Sequence, residues 1–354
     1  MRHQHILVIR FSALGDVAMT VPVVYSLAMQ YPDVRITVLS RPFARPLFED
    51  LAPNISFMEA DVKGEYRGIR GLNTLYRRLV AKQFTHVADL HSVLRSEYLR
   101  LRFNMGRFRV EHLNKHRKQR RHLVSYRKKV KEPLPTSFDN YFDVFRRLGF
   151  PIDKPLFTSI FPPEGGNLNL LPAAIGQKRA WEHWIGVAPF AAHKGKIYPF
   201  EKMEQVIDIL AEKHPKARFF IFGRGAEEEA VISQWCQKRP YCTSVPQNTE
   251  AMHQELILIS NLDVMLSMDS ANMHLASLTA TPVVSIWGAT HPYAGFMGWK
   301  QKVDNAIGLN MDCRPCSVYG QKRCKKGNYP CLYGIEPQAV ADKISSLLIT
   351  QTDK

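Results

Sequence analysis

The sequence predicts an α/β protein of two similar domains, each a parallel sheet with helices on both sides, joined by a linker that implies a cleft between them. Three observations predict it. Short apolar runs alternate with amphipathic stretches in both halves of the chain. A segment dense in proline and glycine separates the halves. The 354 residues are long for one hydrophobic core and comfortable for two.

In the N-terminal half, HILVIR reads as a buried strand, followed by a helix from about Asp16 to Gln30. RITVLS at 35–40 is the next strand. A helix around 72–82 precedes the strand THVADL at 85–90, and another helix begins near Ser92. Residues 100–131 are dense in Arg, Lys and His and read as a loop with a short helix; a further helix covers 138–148. From Pro151 to about Arg179 the chain carries Pro151, Pro155, Pro162, Pro163, Gly165, Gly166 and Pro172, which marks a linker. Alternation then restarts. HWIGVAP, ARFFIFG, LDVMLSMD and TPVVSIWG read as strands, Phe200–His214, Ala226–Lys238 and Ser270–Thr279 as helices, and 336–350 as a last helix. Ligands of such sheets bind beyond the carboxyl ends of the strands.

Composition narrows the class. Hydrophobic residues are 45% and charged residues 23%, ordinary for a globular protein. The formal charge of +16 favours an anionic partner: nucleic acid, an acidic membrane face or a phosphorylated substrate. No apolar run approaches the ~20 residues of a spanning helix, and HILVIR lacks the length and cleavage site of a signal peptide. A cytoplasmic protein, peripheral at the inner membrane face, is expected. In that reducing compartment Cys236 and Cys242 act as small apolar residues.

Four loops after strands carry the candidate chemistry. In FSALGDVAMT (11–20), Ser12 and Gly15 lie in the loop. Gly15 allows a tight turn, and Asp16 falls at a helix N-terminus; it reads either as an N-cap or as a general base. In LSMDSANMHLASLTATPVVSIWGATHP (266–292), Asp269, Ser270 and Ala271 open a helix whose N–H groups suit a phosphate. His274, one turn on, is either a donor to phosphate oxygen or a satisfied histidine. In APFAAHKGKIYP (188–199), His193, Lys194 and Lys196 bring positive charge without a metal, or belong to a solvated loop. In FGRGAEEEA (222–230), Glu227 is either a ribose acceptor or a dipole-favoured acid. The third glycine of a dinucleotide fingerprint would fall on Glu228, which argues against a nicotinamide enzyme.

Two segments stand apart. Cys313, Cys316, Cys324 and Cys331 form C-x2-C-x7-C-x6-C, compatible with a structural zinc or with small residues in a reduced loop. Residues 100–131 hold thirteen Lys and Arg in 32 positions, suited to nucleic acid, an anionic bilayer or a phosphorylated acceptor.

The segments FSALGDVAMTVPVVYSLAMQYPDVRITVLS and VMLSMDSANMHLASLTATPVVSIWGATHP together resemble the N-terminal and donor-site signatures of glycosyltransferase family 9, the heptosyltransferases of lipopolysaccharide core assembly. The resemblance implies an α/β GT-B fold, two Rossmann-like domains facing across a cleft. It divides the chain into an acceptor domain (1–165), a nucleotide-sugar domain (180–335) and a terminal helix (336–354) packing back toward the first domain. It implies inverting, metal-independent transfer of heptose from ADP-heptose to an anionic, phosphorylated lipopolysaccharide inner-core acceptor, with no cofactor beyond the donor. Asp16 matches the acid–base position, and Lys196 matches the donor-phosphate lysine. Asp269, Ser270, Ala271 and His274 match the pyrophosphate and sugar loop, and Glu227 matches the ribose acid. Ser12, Gly15 and Lys194 fall among the acceptor and phosphate contacts. Ala191-Ala192 stands where relatives often have Thr-Thr, and Asp-Ser-Ala-Asn where Asp-Thr-Gly is commoner. The alternatives are another nucleotide-sugar donor and, from a different class, nucleic-acid binding through 100–131, which the resemblance does not favour.

Overall fold

The computed structural model describes residues 4–106, 108–246 and 251–352. The chain forms two compact units, residues 1–116 with 135–160 and residues 117–134 with 161–354. Each is built on one all-parallel sheet.

The first unit holds β1 (His5–Ile9), β2 (Arg35–Ser40), β3 (Ile55–Glu59), β4 (His86–Asp89) and β5 (Arg109–His112) in the order β3-β2-β1-β4-β5. β1 is buried along its whole length, which is why Ile6, Leu7, Val8 and Ile9 are all apolar rather than alternating. The expected helix over 16–30 is divided into α1 (Leu14–Ala18) and α2 (Val21–Gln30). Pro22 sits in the first turn of α2, where its missing N–H and fixed φ suit a helix start and not a helix interior. α3 (Gly68–Val80) buries Leu72, Leu75 and Leu79 and turns its arginines outward. α4 (Leu94–Met105) buries Ser96, Leu99 and Phe103. The two helices close a core with Leu7, Ile9, Phe11, Tyr66 and Val87.

α5 (Arg117–Leu123) belongs to the basic segment, whose residues from 117 onward are part of the second unit. α6 (Ser137–Leu148) is back in the first unit. Thr136 and Asp139 exchange hydrogen bonds at its start, and Gly149 at φ 94° ends it.

The second unit holds β6 (His183–Ala188), β7 (Ala217–Ile221), β8 (Cys242–Ser244), β9 (Val264–Met268), β10 (Val283–Ile286) and β11 (Ala306–Ile307) in the order β11-β10-β9-β6-β7-β8. Its helices are α7 (Phe200–Lys213), α8 (Ala226–Lys238), α9 (Ala251–Ser260), α10 (Ala271–Leu278), α11 (Pro330–Tyr333) and α12 (Pro337–Thr352). Within the second unit the terminal helix α12 lies along α7. Its Val340, Ala341, Ile344 and Leu348 share a core with Val206, Ile207 and Leu210 of that helix.

The Pro/Gly stretch is ordered at both ends. The Tyr31 hydroxyl donates to the Pro151 carbonyl at 2.7 Å, and the Leu156 amide donates to Ser26 Oγ at 3.0 Å. Beyond residue 161, Lys178 pairs with Asp263 at 2.7 Å, and Arg218 donates to the Ile175 carbonyl.

Candidate active site

In each sheet the strand order reverses beside the first strand, and the loops there diverge, leaving room for a ligand. In the first unit the reversal falls between β1 and β4, in the second between β6 and β9. The candidate residues of each unit collect at these points.

At the first reversal, Arg10 follows β1 with 6% of its surface exposed. Its Nε donates to the Ser12 carbonyl at 2.9 Å, its Nη1 donates to the Leu90 carbonyl, and its Nη2 lies 2.8 Å from Asp16 Oδ2. Burial works against its charge, but Asp16, Tyr141 and Asp89 outweigh it and hold the guanidinium above its ordinary pKa. Asp16 is not the N-cap. It is the third residue of α1, and its Oδ2 reaches back to the Ala13 N–H at 3.2 Å, while a third of its side-chain surface stays open. Ala13, the N-cap, has no side chain that could return a bond. The tight turn expected at Gly15 does not form. Gly15 is a buried helical residue, and the chain changes direction earlier, between Arg10 and Ala13.

His91, after β4, completes this group. Its Nε2 stands 3.4 Å from Ser12 Oγ, and its ring meets Phe11 edge-on. Burial, then the charges of Arg10 and Lys115, push it down to about 3, so it is neutral at any working pH. The loop that carries it is fixed by Asp89, whose Oδ1 accepts the His91 and Ser92 amides and whose Oδ2 pairs with Arg100 at 3.3 Å.

At the second reversal, Lys196 Nζ lies 2.9 Å from Asp269 Oδ2, a carboxylate only 3% exposed. The pair is a charge contact rather than an aligned hydrogen bond, since the oxygen has no bond of good geometry. Lys194 is exposed in the same short turn. Ser270 occupies the N-cap of α10, yet its hydroxyl does not cap; its Oγ lies 3.3 Å from that of Ser267. The opening amides from Ala271 onward therefore lack a side-chain cap, as an anion site requires. His274, one turn in, is buried. Glu227 is the second residue of α8, exposed, in the positive half of the helix dipole.

The cysteine-rich segment supports these loops through a residue the sequence did not flag. Arg314, 3% exposed, donates to the carbonyls of Gly288, Trp287 and Thr290 at 2.6, 2.6 and 3.3 Å, and to that of Leu309. The Cys316 and Ser317 amides both donate to the Ala289 carbonyl, and the Ala289 amide donates to the Gly195 carbonyl at 2.8 Å. A side chain on Gly195 would strike the Gly320 carbonyl at 2.7 Å, and one on Gly320 would strike Lys196 Cγ at 2.7 Å. The segment is thus the wall against which the Lys196 turn rests.

A structural zinc is one of the two expectations for the four cysteines. Among the described residues no three His, Cys, Asp or Glu side chains are arranged to hold a metal. None of the four is in a disulfide, and burial raises the thiols of Cys316 and Cys331, the latter to about 11. The basic segment is partly engaged. Lys129 Nζ donates to the Asp312 and Pro315 carbonyls, Lys131 Nζ donates to Asn310 Oδ1, and Arg120 donates to the Tyr319 hydroxyl. Arg107 lies outside the described residues.

Comparison with known proteins shows the family and the fold. The profile of Glycosyltransferase family 9 (heptosyltransferase) matches residues 72–326. The lipopolysaccharide core heptosyltransferase OpsX of Haemophilus influenzae is 23% identical over 288 residues, 80% of this chain and 79% of that protein. A family 9 glycosyl transferase from Veillonella parvula superposes with a TM-score of 0.75 at 19% identity, covering 99% of this chain and 98% of that one. The ADP-heptose lps heptosyltransferase II of Escherichia coli superposes with a TM-score of 0.70 at 18% identity, covering 99% and 100%. The chain belongs to glycosyltransferase family 9, has the GT-B fold and is a glycosyltransferase.

Two measurements test this geometry. Arg314→Met leaves the 287–290 carbonyls without their shared donor, so amide exchange at Ala289, Cys316 and Ser317 will accelerate at least tenfold while β9 keeps its protection; unchanged exchange would remove Arg314 from its role. A histidine whose folded pKa lies below its unfolded value weakens the fold as pH falls, because the unfolded chain takes up a proton that the folded one refuses. For His91 the window runs from about 6.5 down to about 3. His91→Gln should therefore lessen the loss of stability between pH 7 and pH 5 by about 2 kcal/mol, read from urea midpoints at each pH.

Proposed function

We propose that this family 9 enzyme transfers a heptose from ADP-heptose to a phosphorylated lipopolysaccharide inner-core acceptor, with inversion at the anomeric carbon and without a metal. The observation that carries the reading is the pair of charged groups at the two strand-order reversals, Asp16 with Arg10 and Lys196 with Asp269. The similarity to an E. coli enzyme described as an ADP-heptose lps heptosyltransferase supplies the donor.

In this reading the first unit serves the acceptor and the second the donor. Asp16, partly open to solvent, takes the proton of the attacking hydroxyl. The oxygen forms its bond to the anomeric carbon as the bond from that carbon to the β-phosphate breaks, and the single displacement inverts the centre. Proton transfer is late because the carbon carries oxocarbenium character, so a weak carboxylate base suffices. Negative charge grows on the departing ADP. Lys196, the uncapped amides of α10 and His274 stabilise it, serving as a divalent ion does in other transferases. Asp269 holds the Lys196 ammonium in place. Glu227 accepts from the ribose hydroxyls of the adenosine. Ser12, whose hydroxyl is near neutral His91, and Lys194 contact the acceptor and its phosphate. The net charge of +16 suits that substrate and a peripheral position at the cytoplasmic face of the inner membrane. Among the described residues no helix is long and apolar enough to cross a membrane.

Asp16→Asn preserves a hydrogen-bonding partner for Arg10 but cannot accept the proton. Turnover should fall by at least 10³-fold, the scale of a lost general base, while calorimetric ADP affinity stays within about threefold. Wild-type turnover by this variant would remove Asp16 from catalysis. Lys196→Met should raise the dissociation constant for ADP at least tenfold, a loss of about 1.4 kcal/mol. Preferential binding of UDP or GDP would overturn the ADP-heptose assignment.

A further inference from the structure

The outer surface of α4 shows an apolar stripe where a soluble helix is normally polar. Leu94, Leu101 and Met105 are 85%, 57% and 73% exposed, spaced at i, i+7 and i+11, so they share the side opposite the buried Ser96, Leu99 and Phe103. α4 is therefore apolar on two faces, one of them uncovered. Ile69, 66% exposed, extends the stripe. The Tyr98 hydroxyl donates to Asn73 Oδ1 at 2.7 Å, and Arg102 donates to the same atom. These bonds set α3 and α4 side by side, with Ile69 and Leu94 each about one turn before the bonded residues and hence at the same end.

The rim of this stripe is cationic. Residues 94–109 contain five arginines against one glutamate. Arg70 and Arg95 are exposed beside Ile69 and Leu94, Arg109 is exposed beyond Met105, and among the described residues none of the three is in an ion pair. An apolar helix face flanked by arginines is the chemistry of a helix lying in a bilayer interface, its side chains among acyl chains and its cations on lipid phosphates. The stripe also starts where the site ends: Leu94 is two residues past Ser92, in the loop fixed by Asp89 that carries His91.

We infer that the outward face of α4, with Ile69, docks this enzyme on an anionic bilayer and so brings the first unit's half-site to its lipid-anchored acceptor. The inference rests on the reading of the acceptor as a glycolipid. Vesicle pelleting in 0.1 M NaCl tests it, using phosphatidylcholine alone and phosphatidylcholine with 30% phosphatidylglycerol. The protein should partition onto the anionic vesicles, and 0.5 M NaCl should weaken that at least fivefold. Leu94→Ser/Leu101→Ser/Met105→Ser should lower the partition coefficient at least tenfold with an unchanged circular dichroism spectrum and melting temperature. Arg70→Gln/Arg95→Gln/Arg109→Gln should abolish the preference for the anionic lipid. Absent binding by the wild type, or wild-type partitioning by the triple serine variant, would overturn the inference. So would a wild-type dimer that the serine variant converts to monomer, since the face would then belong to a second copy. ADP calorimetry on the same samples reports on the donor reading alone, so the two failures are distinguishable.

Discussion

A charge placed at the carboxyl end of a buried parallel strand has lost much of its water, and it persists only with a partner. This constraint organises both units. Arg10, fixed by the carbonyls of Ser12 and Leu90, holds Asp16. Asp269, nearly sealed from solvent, needs Lys196. Asp89 is satisfied by two loop amides and Arg100. Each partnership satisfies a buried group and at the same time fixes a polar group at the point where the strand order reverses. In the proposed reading, stability and reactivity are thus served by the same contacts.

The second unit shows how such a loop is kept still. Three stretches distant in sequence, 193–196, 287–290 and 309–320, are joined through main-chain hydrogen bonds, close-packed glycines and one buried guanidinium. The cysteines are notable mainly for their setting. Burial raises the thiols of Cys316 and Cys331, while the residue after the first cysteine, Arg314, makes the contacts. The basic segment adds Lys129 and Lys131 to the outer side of the same structure, so part of its charge is structural rather than offered to a polyanion.

Much of this was legible in the sequence, for physical reasons. β1, β2, β4, β6, β7, β9 and β10 lie inside their sheets or bury most of their length, and burial on both faces leaves unbroken apolar runs. β3, β5, β8 and β11 were not legible. ISFME and RVEH are half exposed at sheet edges, RVEH lies within an arginine-rich stretch, and CTS and AI are too short to show a period. The break between α1 and α2 was signalled by Pro22 and read through. At the site, Asp269 and Ser270 could be found because they directly follow a strand, and Asp16 and Lys196 because they fall in short loop-to-helix motifs within eight residues of one. Arg10, His91 and Arg314 could not. Their roles exist only through partners in other segments, 79 residues apart for His91 and Ser12 and 26 for Arg314 and Gly288, and no local pattern records such pairs.

The central claim is that an acid on one sheet and a set of cations and amides on the other carry out a single inverting displacement. Its most direct test is the product formed from ADP-heptose and a phosphorylated inner-core glycolipid, with anomeric configuration read by NMR. The account predicts one new glycosidic bond of configuration opposite to that of the donor's anomeric phosphate, with stoichiometric release of ADP. Retention of configuration, or release of ADP without transfer to the glycolipid, would contradict it.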